Sequence, residues 1–177
     1  MVIVITLPHF FKGEADRIVS FLQKGDADLI HLRKPNCRYE DLQLLIESIP
    51  ESFYNKLVLH DHHFLASKYG LYGIHLNSRN PEPFDGWQGS VSRSCHSLEE
   101  LEKWKESCDY VSLSPIFDSI SKQGYTSAFS AEAIAEAVDK GIIDQKVIAL
   151  GGVTFARLQE VYNMGFGGGM ILGDAWK

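Results

Sequence analysis

Cysteine is scarce in this chain of 177 residues. Cys37, Cys95 and Cys108 make an odd number with no Cys-x-x-Cys spacing, which excludes a disulfide framework and points to free thiols in a reducing cytosol. Long apolar runs are missing too. Val2 to Leu7 and Val147 to Leu150 are far too short to span a bilayer, so no membrane partner is expected. No basic n-region leads into an apolar stretch at the N-terminus, and no signal peptide is read there. Basic residues are the minority charge, 17 Lys and Arg against 23 Asp and Glu, a net charge of -6. Nucleic acid, which needs a basic face, is therefore not an expected partner. A local cationic site for a small anion remains open. What is present is ordinary: 45% hydrophobic residues in 19.9 kDa, enough for one cytoplasmic domain over residues 1–177 with a sizeable core.

Short apolar runs alternate with amphipathic stretches. The predicted strands are Val2–Leu7, Leu29–Leu32, Leu57–Leu59, Gly73–Leu76, Ser90–Ser94, Tyr110–Leu113, Val147–Leu150 and Gly169–Leu172. Between them, Ile18, Phe21 and Leu22 share one helical face, Leu42, Leu45, Ile46 and Ile49 a second, and Leu98, Leu101 and Trp104 a third. Ser97 with Glu100 three residues on reads as a capping box opening that third helix. Ser130 to Val138 and Thr154 to Met164 predict two more helices. Eight βα units predict a (β/α)8 TIM barrel, with an open doubly wound sheet as the alternative.

Two features strain the barrel reading: either the barrel is trimmed, or a C-terminal segment lies beyond this sequence. Gly73 and Ser90 start strands too close together for a full crossover helix, and Pro81, Pro83 and Gly86 lie between them. The chain also ends at Lys177, with no room for an eighth helix after Leu172. Lack of that helix would bare the flank of strands one and eight and invite a homo-oligomer contact.

Barrel chemistry gathers at the C-terminal ends of the strands. Reading off those positions gives Arg33 and Lys34, His60 and Asp61, and His75 to Asn80. The later strands give Ser94, Cys95 and His96, then Ser114, Gly151 and Gly152, and Gly173 and Asp174. Cations, hydroxyls and paired glycines at one rim suit a phosphorylated substrate. Phe117 to Phe129, carrying Ser119, Ser121 and Lys122 without helical periodicity, reads as an anion lid. The run His60-Asp61-His62-His63 lacks matching remote ligands for zinc, and Asp61 alone suits magnesium or a positioning carboxylate. Cys95 beside His96 is a poor nucleophile–base pair, because sequence neighbours rarely align for proton transfer.

Taken in order, these motifs resemble thiamin phosphate synthase and its relative, the TenI thiazole tautomerase. The resemblance rests on Leu32-Arg33-Lys34, Asp61 with Phe64-Leu65-Ala66, Tyr72-Gly73-Ile74-His75-Leu76, and Ser94-Cys95-His96-Ser97-Leu98-Glu99-Glu100. It continues through Ser114-Pro115-Ile116-Phe117 and Ile148-Ala149-Leu150-Gly151-Gly152-Val153-Thr154. It implies a barrel enzyme joining hydroxymethylpyrimidine diphosphate to a thiazole phosphate in thiamin biosynthesis. Arg33, Ser94 and Lys122 would hold the pyrophosphate, with Lys34 and His60 beside them. Asp61 would hold Mg2+, with Asn80 at or near the second metal position. Ser119, Ser121, Gly151, Gly152, Gly173 and Asp174 would surround the thiazole phosphate.

This sequence departs from the family pattern at named places. Pro35 stands where the family has Lys, His60 where it has Asn, Asn80 where it has a second Asp, and Asp174 where it has Ser. The resemblance also implies a tautomerase alternative needing no metal, with His96 as the acid–base group. A third reading is a barrel that binds a thiamin precursor without turnover.

Overall fold

The computed structural model describes residues 1–117 and 129–177. Eight parallel strands close a barrel in sequence order: β1 (Val2–Ile5), β2 (Leu29–Leu32), β3 (Leu57–Leu59), β4 (Gly73–Leu76), β5 (Ser90–Cys95), β6 (Tyr110–Leu113), β7 (Val147–Ala149) and β8 (Gly168–Ile171). All eight predicted strands are present, displaced by two residues at most. Every residue of β2, β3, β4, β6, β7 and β8 is buried, as expected of strands covered on both faces. The chain divides into two compact units, Ile3–Val91 and Ser92–Lys177 together with Met1–Val2.

In the first unit the helices are α1 (Glu14–Lys24), α2 (Tyr39–Glu47) and the short α3 (Phe64–Tyr69). Their inward faces match the periodicity: Ile18, Leu42, Leu45, Ile46, Leu65 and Ala66 are all buried. Ile49 is buried too, although α2 has ended before it. No helix forms between β4 and β5. Asn77 and Asn80 instead close a tight turn by exchanging backbone N–H···O bonds at 3.1 Å in both directions.

The second unit carries α4 (Leu98–Trp104), α5 (Ala131–Asp139) and α6 (Leu158–Asn163). The Ser97 hydroxyl caps α4, accepting from Glu100 N–H at 3.2 Å. Glu100 reaches back one residue further than a capping box predicts, to His96 N–H at 2.7 Å. After β8 comes a 3-10 turn, Asp174–Trp176.

Ile3, Val4 and Ile171 have no exposed surface, and Met170 is 1% exposed. Part of the reason is the first residue, which lies along β8. Met1 donates its ammonium to Gly167 O at 2.7 Å, and its carbonyl accepts from Gly169 N–H at 3.0 Å. A Cβ on Gly168 would sit 1.8 Å from that same carbonyl oxygen, so the glycine run serves backbone approach as well as the turn.

Candidate active site

In the first unit, two adjacent cations at the end of β2 take opposite roles. Lys34 is buried, and its ammonium spends its three protons on Leu7 O at 2.8 Å, His9 O at 2.8 Å and Glu14 Oε1 at 2.5 Å. Burial pushes the Lys34 ammonium below its ordinary pKa and the Glu14 carboxyl above its own. The sequence suggested a catalytic Lys34. The geometry makes it instead a strut fastening α1 to the segment after β1, with no donor left for a substrate. Arg33 is different. Its backbone N–H is anchored by Thr6 Oγ1 at 2.9 Å, its side chain is half-buried, and among the described residues its guanidinium has no carboxylate partner. A half-buried guanidinium at a strand end, without an ion-pair partner among the described residues, has the chemistry to receive an oxyanion.

Asp61 follows β3 and is clamped. Its two carboxylate oxygens each accept from Arg79 at 3.0 Å, as a two-point fork. Asn80 sends its amide N–H to Asp61 Oδ1 at 3.1 Å and to His60 O at 3.1 Å, so two acceptors fix the amide's orientation. Asn77 completes the turn, giving its own amide N–H to His60 O at 2.9 Å. His60 itself is buried beside His31 and His75. Sequence reasoning placed His60 and His75 at the rim, found no remote zinc ligands for the run that starts at His60, and overlooked His31. The available signal was His at like places on consecutive strands, penultimate in β2 and β4 and just beyond β3.

In the second unit, Ser94 lies in β5 opposite Ser112 of β6. Cys95 is fully buried, and that burial pushes its thiol up to about 12, which rules out a thiolate nucleophile near neutral pH. His96 is exposed, and its Nδ1 lies 3.1 Å from the Ser114 hydroxyl, leaving Nε2 outward. Ser114 precedes a cis peptide bond to Pro115. Gly151 has φ 91° and Gly152 φ 65°, so the turn after β7 demands glycine at both. A Cβ on Gly151 would also meet Pro115 at 2.8 Å. Gly173 leads into the turn whose Asp174 Oδ2 accepts from Phe155 N–H at 3.1 Å, while Oδ1 pairs with Lys177 at 3.1 Å. A carboxylate thus occupies one N–H at the end where a phosphate was expected. Ser119, Ser121 and Lys122 lie outside the described residues.

A sequence profile described as thiamine monophosphate synthase matches residues 2–172. The chain belongs to the thiamine monophosphate synthase family. A solved structure of thiamine phosphate pyrophosphorylase from Bacteroides thetaiotaomicron is 42% identical and superposes with a TM-score of 0.87, covering 99% of this chain and 84% of that one. Thiamine-phosphate synthase from Caldicellulosiruptor bescii is 27% identical over 175 residues, 91% of this chain and 77% of the relative. The Psychrobacter enzyme of that name is 24% identical over 165 residues, 87% and 76% of the two chains. The protein is thus an enzyme of a transferase family of thiamin biosynthesis. Among the described residues no helix is long and apolar enough to cross a membrane.

Family resemblance implied Mg2+ at Asp61 and Asn80, and the residues present do not fit it. Magnesium takes hard oxygen ligands in near-octahedral geometry. Here both Asp61 oxygens are committed to a guanidinium, and Asn80 offers N–H rather than oxygen in that direction. The cation at this place is Arg79.

Proposed function

We propose that this protein joins hydroxymethylpyrimidine diphosphate to a thiazole phosphate, releasing pyrophosphate and forming thiamin phosphate. The carrying observation is Arg33, a half-buried cation with no counter-charge among the described residues, at a strand end in a family of thiamine-phosphate synthases. The C–O bond to the diphosphate breaks with its electron pair leaving on oxygen, and the thiazole nitrogen then bonds to the exposed pyrimidine carbon. Arg33 stabilises charge gathering on the leaving group. The roles of Ser94 and Lys122 toward that group rest on the resemblance alone, as do those of Gly151, Gly152 and Gly173 toward the thiazole phosphate.

The test is an end-point assay with both substrates, reading thiamin phosphate as thiochrome fluorescence after oxidation, with Mg2+ and chelator arms. Product that persists in the chelator arm is the expected result, since Arg79 takes the place of the implied Mg2+. Folded protein that yields none in either arm would overturn the proposal. A second reading is supported by His96, whose Nδ1 is held by Ser114 while Nε2 stays outward, as a thiazole tautomerase would need. Proton exchange on a thiazole carboxylate phosphate, lost in His96→Gln, would identify it.

Asp174 bears on substrate affinity. Asp174→Asn keeps an oxygen for Phe155 N–H and removes a negative charge from the expected phosphate end. The KM for thiazole phosphate should fall roughly tenfold, the effect of about 1.4 kcal/mol of relieved repulsion. An unchanged KM with normal folding would mean that Asp174 does not face the phosphate.

A further inference from the structure

Three imidazoles in the first unit form a group of which only His60 has so far been given a place, beside the pyrophosphate by resemblance. His31 of β2, His60 after β3 and His75 of β4 are 0%, 6% and 1% exposed. One ring nitrogen from each lies within 4.8 Å of the other two. His31 Nδ1 and His60 Nε2 are 2.9 Å apart. The His60 and His75 rings stack at 4.2 Å, and His31 sits edge-on to both with centroids at 5.1 Å.

We propose that His31, His60 and His75 form a binding site for one borderline-soft divalent transition-metal ion of the Zn2+ type. Four-coordinate zinc holds imidazole nitrogens at 2.0–2.1 Å, which sets neighbouring nitrogens about 3.3 Å apart. The His31–His60 contact at 2.9 Å is a hydrogen bond that a bound ion would replace, and the stacked His60 and His75 rings would have to turn so that all three nitrogens face it. Ligand chemistry selects the ion class. Imidazole suits zinc, cobalt, nickel and copper, whereas magnesium prefers oxygen. Three protein ligands leave a fourth position for water or another small ligand, the pattern of open zinc sites. Nearby Arg33 opposes a dication beside His60. This inference is independent of the transferase reading.

The experiment uses untagged full-length protein, freed of metal and dialysed against Zn2+ or Co2+ at neutral pH. Expected are one ion per chain, visible absorption from four-coordinate Co2+, and a rise in Tm of roughly 5 °C at saturating Zn2+. His75→Gln and His31→Gln should weaken binding at least about tenfold, while His9→Gln, outside the group, leaves it unchanged. Stoichiometry near zero in the wild type overturns the proposal whether or not the variants fold. So does equal affinity in folded His31→Gln and His75→Gln.

Discussion

Lys34→Ala is expected to lower the unfolding free energy by about 3–5 kcal/mol, a large share of what a domain this size has. The ammonium has 0% side-chain exposure and its Glu14 partner 2%. Truncation leaves Glu14 as a buried carboxylate, with a second oxygen that already has no partner, and strips a donor from two backbone carbonyls. Urea unfolding of the single variant measures the cost. The double variant Lys34→Met with Glu14→Leu should recover most of it, because an apolar pair of similar volume avoids desolvating two charges. A single-variant cost below about 1 kcal/mol would sink this account of the strut.

The pH dependence follows from the same burial. Glu14 is raised above its ordinary 4.5, so the folded state holds that proton more tightly. Its contribution favours the fold below pH 4.5 and is lost as pH rises through the raised value. Lys34 is depressed below 10.5, so its contribution improves as pH climbs toward that figure. Both groups are least favourable when charged, the state they share at neutral pH. Asp41, Glu136 and Glu160, each held low by a neighbouring Arg or Lys, act oppositely and lose their contribution as pH falls. Glu14→Gln should therefore steepen the loss of stability between neutrality and pH 4.

The barrel was legible because parallel strands buried on both faces leave uninterrupted apolar runs, and the glycines and prolines between Asn77 and Gly89 leave no room for a helix. The rim was legible as a set of positions and less so as a set of roles. Arg33 and Lys34 are adjacent in sequence and chemically alike, yet Lys34 is a strut while Arg33 has no carboxylate partner among the described residues. The difference lies in Glu14, twenty positions away, which no local pattern assigns to either. Asp61 read as a metal ligand because its partner, Arg79, belongs to a turn without periodicity. The histidine group was hidden for a third reason. Within the run His60-Asp61-His62-His63, alternation points neighbours apart, and only the register of three strands brings His31 and His75 to His60.

Arg33→Ala is expected to reduce kcat/KM for the coupling reaction by about 10²–10³-fold, the effect of removing one oriented charge donor from a transition state. The bound diphosphate is already anionic and gains further charge as its bond breaks, so the loss should appear in both KM and kcat. Stability should hardly change, since the backbone of Arg33 is fastened by Thr6 and the lost guanidinium has no ion-pair partner among the described residues. That separates it from Lys34→Ala, where any loss of activity should track the loss of fold. Arg33→Lys should restore part of the rate, because an ammonium supplies the charge without the planar two-point fork. Lys122→Ala should show a comparable kinetic loss with normal stability, on the strength of the resemblance. Pyrophosphate binding, measured without turnover, isolates the anion role: Arg33→Ala should weaken it in step with kcat/KM. If pyrophosphate binds Arg33→Ala as tightly as the wild type, Arg33 does not meet the leaving group, and the guanidinium at the end of β2 needs another anion to explain it.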